Sequence, residues 1–283
     1  MNNSLTSATK NGQLVNKIVW IFFIVVNIIW LVIPFGMAVL WSLVDPNHPW
    51  SYPDLFPKVL SFNRWIDVWN KTALSTALMN SYTIAPVVAM LSFILAMPTA
   101  YALGRIPFQG KHIAELITLI PLVIPTMIIA IFFHSILKAL HITNPFIGIV
   151  VGHTVLTLPY SIRILSAGFK SVPQDLIDAS KNLGAGPIET FKTAYLPILK
   201  PSFLAALIFC LVISLEEFGI SFVIGSPDLI TVPTILYSFL GYAFIRPDAA
   251  VVSMILVIPN VILMIFIERL LKGNYLAQST GKG

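Results

Sequence analysis

Six long apolar runs dominate this sequence and limit what it can become. They lie at about residues 18–43, 74–104, 112–138, 145–166, 202–225 and 250–271. Each reaches or exceeds the ~20 residues that a helix needs to cross ~30 Å of hydrocarbon. Charged residues make up only 10% of the 283, against roughly 25% in an average soluble domain. In lipid a backbone must satisfy its own hydrogen bonds, so runs of this length fold as helices. The expected fold class is all-α, a polytopic membrane protein with about six transmembrane helices. The fourth run is the least regular, because Gly148, Gly152, His153 and Pro159 interrupt it.

Charge placement sets the expected orientation. With six spans and both termini on one side, twelve of the seventeen Lys and Arg fall on that side. The other side keeps Lys58, Arg64, Lys71, Lys138 and Arg246. Positive charge collects on the cytoplasmic side of membrane proteins, so both termini are expected there. The formal charge of +5 then reflects topology and implies no nucleic-acid partner. Residues 1–17 and 274–283 are expected as short cytoplasmic tails around a single transmembrane domain at 18–273. The first run exceeds the 7–15 residue core of a signal peptide, and no A-x-A site follows it, so it is expected to stay as an anchor. Residues 44–73 are rich in Pro, Trp and Tyr, which suits the membrane–water interface; a packed loop and a contact site for an outside partner fit equally.

One polar island breaks the pattern. Asp178–Pro201 holds about two dozen residues where a handful would suffice to turn the chain. Ser171 and Gln174 have the spacing of a capping box at a helix start. Leu176, Ala179, Ser180 and Leu183 recur at helical spacing. Gly184 stands where a left-handed residue would end that helix. Gly186 and Pro187 suit a new start, with Ile188, Phe191 and Tyr195 on the face of a second short helix that Pro197 and Pro201 are expected to end. Helix, bend and helix, within about 167–201, make a small amphipathic docking surface.

Asp178-Ala179-Ser180, then Gly184, then Leu196-Pro197, resembles the EAA loop of the permease subunits of bacterial ABC importers. Asp178 stands for Glu, Ser180 for the second Ala, and Ala194 for the usual Ile; none of these moves the bend. Asn80-Ser81 and Ala100-Tyr101-Ala102-Leu103-Gly104-Arg105 resemble the family's N-S and A-Y-A-x-x-R landmarks. The resemblance implies a type I importer permease in the bacterial inner membrane. Asp178, Ala179, Ser180, Gly184, Ala185, Gly186, Pro187, Leu196 and Pro197 would then form the loop that couples to the ATPase. Implied partners are two cytoplasmic ATP-binding subunits, a second permease subunit expected as a paralogue, and an extracytoplasmic solute-binding protein.

Catalytic chemistry has no sequence support. GAGPIETFK lacks the Walker A spacing, no H-E-x-x-H or G-x-S-x-G occurs, and the five histidines are scattered. No catalytic residue, cofactor or metal is expected, and ATP hydrolysis is expected in a partner. His153 is expected to hydrogen-bond between helices. Glu216 and Glu217 lie in an apolar run, where carboxylates usually face a cavity or a partner. Adjacent helical residues point about 100° apart, so one is expected on a translocation path and the other in a structural hydrogen bond; both as structural polar groups is the alternative. Asn80 is a further candidate for the path, although an interhelical hydrogen bond is the commoner fate of a membrane asparagine. Ser214–Phe218 and Phe222–Pro227 resemble the spermidine/putrescine branch, which also takes in importers of opines and aminoethylphosphonate. The expected function is a permease for a small organic cation or zwitterion, polyamines favoured. An ion-coupled secondary transporter acting alone is the alternative from another class.

Overall fold

The structure, a computed structural model, describes residues 3–279; residues 1–2 and 280–283, parts of the expected tails, lie outside the described residues. In chain order the helices are α1 (Asn3–Ser42), α2 (Asn63–Lys71), α3 (Leu74–Arg105), α4 (Lys111–Thr118), α5 (Ile120–Val123), α6 (Thr126–Ala139), α7 (Pro145–Ser171), α8 (Gln174–Asn182), α9 (Pro187–Thr190), α10 (Leu196–Glu216), α11 (Val232–Tyr237) and α12 (Arg246–Ser279). Wider π-helical turns occupy Phe191–Tyr195, Ser221–Gly225 and Ser238–Tyr242. Among the described residues, five helical stretches are long and apolar enough to cross a membrane: Asn16–Ser42, Leu74–Arg105, Pro145–Ser171, Pro187–Glu216 and Arg246–Phe266.

The third apolar run does not form one helix. Pro121 opens α5 and Pro125 caps α6, while Ile124 between them is extended, as a residue before proline prefers. The fifth run ends early as a helix, at Glu216, with Glu217 extended beyond it. The fourth run, expected to be the least regular, is instead one helix of 27 residues. Its glycines are a packing surface. A Cβ on Gly148 would come within 2.7 Å of Ile224, and one on Gly152 within 2.8 Å of Ile220. Small residues four apart allow such close approach inside a membrane, where dispersion contacts replace the hydrophobic drive.

The chain divides into two compact units, one made of residues up to Asn70 with Ile245–Met254, the other of Lys71–Phe244 with the chain from Ile255 onward. In the first unit the loop after α1 is a knitted structure. The Asp45 carboxylate accepts hydrogen bonds from Ser61 Oγ (2.7 Å), Asn63 Nδ2 (3.0 Å) and the Asn47 backbone N–H (2.8 Å). These donors, Ser61 foremost, hold its carboxyl well below the usual range. Arg64 donates to the Val44 carbonyl at 2.7 Å and pairs with Asp248 at 2.6 Å.

The second unit is built on α3, α7 and α10. Ala85, Ala89, Ala96 and Ala100 of α3 are buried and admit close neighbours. Ser92 and Thr157 share a buried hydrogen bond of 2.6 Å between α3 and α7. The main core cluster joins Ala96, Ala100, Leu165, Phe169, Leu199 and Ala206 and extends to Ile177 and Tyr195, at the polar island.

Candidate functional site

The polar island folds as helix, bend and helix. At the end of α8 the Gly184 N–H donates to the Lys181 carbonyl (2.9 Å) and the Ala185 N–H to the Ser180 carbonyl (3.2 Å), the paired bonds of a Schellman motif. Gly184 has φ +85°, with no atom within 4 Å of where a Cβ would stand, so glycine is favoured there by backbone conformation and not by space. Gly186 is extended and Pro187 opens α9. Ser180 Oγ meets Thr193 Oγ1 at 3.1 Å and closes the two short helices on each other. Asp178 accepts from Gln174 Nε2 at 2.9 Å and is exposed, as is Ala179. Ala185 and Leu196 are half-buried; Gly186, Pro187 and Pro197 are exposed.

Two local expectations fail here. Ser171 and Gln174 form no capping box: Ser171 Oγ donates to the Gly168 carbonyl, Pro173 occupies the cap, and Gln174 Oε1 accepts from Arg105. Pro197 and Pro201 do not end the second short helix, which runs through the π turn at Phe191–Tyr195 into α10 as the continuous stretch Pro187–Glu216. Local π adjustment lets a membrane helix carry proline without breaking.

The base of this loop is anchored by residues that the sequence motifs contained but spacing alone did not assign. Arg105, ending α3, donates to the Val172 carbonyl at 2.9 Å and lies over the Tyr195 ring at 5.8 Å. Tyr101, Phe169 and Tyr195 meet edge to face. A Cβ on Gly104 would sit 2.6 Å from that of Phe169, so α3 and α7 are nearly in backbone contact. The apolar side chains that remain outside are prominent: Leu183 is 90% exposed and Ile188 73%.

At the far end of α10 the two glutamates part company. Glu217 is buried; its carboxylate accepts from the backbone N–H of Ile220 (2.9 Å) and Ser221 (3.1 Å), capping the next short helix, and lies 3.0 Å from His153 Nε2. His153 Nδ1 meets Ser214 Oγ at 2.8 Å, so this histidine joins α7 to both sides of the break after α10. Glu216 is exposed, and its Oε1 accepts from Asn260 Nδ2 of α12 at 3.3 Å. It borders two cavities. One, of about 600 Å³, is also lined by Glu217, Tyr160 and the broken backbone at Ile124 and Pro125. The other, of about 570 Å³, lies between α10 and α12 beside Phe209 and Val261. Irregular backbone at membrane depth is tolerated where it lines such a cavity. Asn80 is elsewhere: its Nδ2 donates to the Ile230 carbonyl at 2.8 Å, while Ser81 Oγ accepts from the Val232 N–H at 3.0 Å. The pair pins the segment entering α11. Among the described residues no group of His, Cys, Asp and Glu could hold a metal ion.

Comparison with known proteins agrees with this architecture. Residues 92–273 match the family described as binding-protein-dependent transport system inner membrane component. The trehalose transport system permease protein SugB of Mycobacterium tuberculosis is 25% identical, over 82% of this chain and 88% of its own. The spermidine/putrescine transport system permease protein PotC of Haemophilus influenzae is 22% identical, over 77% and 84%. Among solved structures, a bacterial ABC transporter involved in import of the acidic polysaccharide alginate superposes with a TM-score of 0.70 at 16% identity, covering 93% of this chain and 97% of that one.

Proposed function

The chain belongs to the family of binding-protein-dependent transport system inner membrane components and is a permease subunit of an ABC importer; we propose that it forms the translocation path for a small organic cation or zwitterion, with a polyamine such as spermidine or putrescine favoured. The observation that carries the substrate reading is the division of labour between the two glutamates. Glu217 is saturated by backbone donors and His153. Glu216 presents a carboxylate to two cavities with largely apolar walls. Such a group attracts an ammonium, and the similarity to a spermidine/putrescine permease supports the same choice. Aminoethylphosphonate and opines carry an equivalent nitrogen and belong in the same assay panel.

Energy enters through the 167–201 loop, which we assign to the cytoplasm on the charge asymmetry of the chain. Two ATP-binding subunits dock on this loop and on that of a companion permease, expected as a paralogue, while a solute-binding protein delivers substrate on the opposite side. Exposed Leu183 and Ile188 on a polar island favour a protein partner over solvent. Small, exposed Ala179 lets that partner approach α8 closely. The rigid bend at Gly184 and the anchor at Arg105 pass movement of the loop to α3, α7 and α10. Substrate and nucleotide act by biasing two conformations of comparable free energy.

Ala179→Arg tests the docking surface. It should abolish uptake and strip the ATPase from the purified complex, while the permease still inserts. An ATPase that co-purifies undiminished would mean that the loop is not the docking site.

A further inference from the structure

A third cavity, of about 350 Å³, is separate from Glu216 and meets the 167–201 loop only at its start, through Ala167 and Lys170. It lies between α4, the end of α3 and the last turns of α7, with Leu103, Leu116 and Ile162 on its walls and His112, Glu115, Arg163 and Lys170 at its polar side. Its size is within the range of small-molecule sites. Lys170 pairs with Glu115 at 3.4 Å, so those charges offset each other. Arg163 and Lys170 are seven residues apart, on one face of α7. Arg163 makes no hydrogen bond or ion pair among the described residues, and an arginine stays charged at any relevant pH. The cavity therefore has a net positive charge beside an apolar wall. On α4, Ile113 (63%) and Ile117 (58%) stand exposed, so this short helix turns hydrocarbon outward next to the basic group.

We infer that this cavity holds the headgroup of an anionic phospholipid, its phosphate on Arg163 and its acyl chain against Leu116 and the outer face of α4. Basic pockets between membrane helices suit acidic headgroups, whereas a free anion gains nothing from the apolar wall. Lys170 stands two residues before Val172, whose carbonyl Arg105 holds, so the lipid braces the base of the loop. The inference rests on the membrane location of the family and is independent of the substrate reading, because uptake does not enter the readout.

The complete transporter, reconstituted in vesicles of mixed phosphatidylglycerol and phosphatidylcholine and then extracted, can be weighed by native mass spectrometry. We expect one phosphatidylglycerol retained for each copy of this chain, and no phosphatidylcholine in its place. Arg163→Gln should weaken retention by roughly 10-fold or more, the effect of one charge-assisted hydrogen bond, and Arg163→Lys should keep most of it. Leu116→Asp, at an exposed position that leaves the core intact, should also release the lipid. Equal retention by wild type and both Arg163→Gln and Leu116→Asp would overturn the inference. So would displacement of the lipid by an equal concentration of inorganic phosphate, which would make this a site for a free anion.

Discussion

The helical stretch Pro187–Glu216 ends in opposite ways. At its beginning apolar side chains stand outside: Ile188 on α9 and, just before it, Leu183 are mostly exposed, and the hydrogen bonds nearby are local ones between Ser180, Thr190 and Thr193. At its far end polar side chains stand inside: His153, Ser214, Glu217 and Ser221 are all buried and satisfy one another. The first arrangement leaves apolar groups uncovered on a polar island, and in the proposed function a partner protein covers them. The second is complete within the chain and fixes where α10 stops. On the proposed reading, partner contact belongs to one end and positioning of the path to the other.

The largest effect on stability should come from cutting the inner polar cluster. His153→Leu leaves the Glu217 carboxylate buried with its backbone donors and the Ser221 hydroxyl, and a buried group deprived of a hydrogen-bond partner costs about 1–3 kcal/mol, more for a charged group. Thermal unfolding of the purified permease should show a large loss, and replacing Glu217 by Leu as well should restore part of it. A single variant as stable as wild type would mean that the cluster does not hold the break after α10.

At the loop end the expected cost is smaller and local. Gly184→Val places a β-branched residue in left-handed backbone, at about 1–2 kcal/mol, with no packing clash to add to it. Hydrogen exchange in α8 should speed up, whereas Gly184→Asn, which tolerates this conformation, should stay near wild type. Equal exchange in all three proteins would remove the bend from the account.

The sequence made the loop legible because its signals are local. A glycine after a periodic helix and a proline opening the next one act within a few residues, and both stand where spacing put them. Pro197 misled because a π turn absorbs it, and the Ser171 box misled because Gln174 is engaged by Arg105 from another helix. The inner cluster was only half legible. His153 read as an interhelical hydrogen-bonding residue, but the partners of the two glutamates come from 44 and 64 residues away, and no periodicity names them. The break in the third run lies at Pro121 and Pro125, which length and hydropathy alone do not register.

Asn80 offers the mildest test. Membrane hydrogen bonds of its kind contribute roughly 0.6 kcal/mol on average, so Asn80→Ala should lower stability slightly and leave substrate affinity unchanged. A clear change in the solute concentration for half-maximal uptake would place Asn80 on the path.

Uptake of labelled spermidine by proteoliposomes holding the complete transporter tests the central claim most directly, with wild type compared against Glu216→Gln at matched assembly. A lost charge-assisted hydrogen bond predicts uptake efficiency lower by roughly 10- to 100-fold, with the thermal stability of the complex unchanged. Wild-type uptake in Glu216→Gln would contradict the account, removing Glu216 from the path and with it the argument for a cationic substrate.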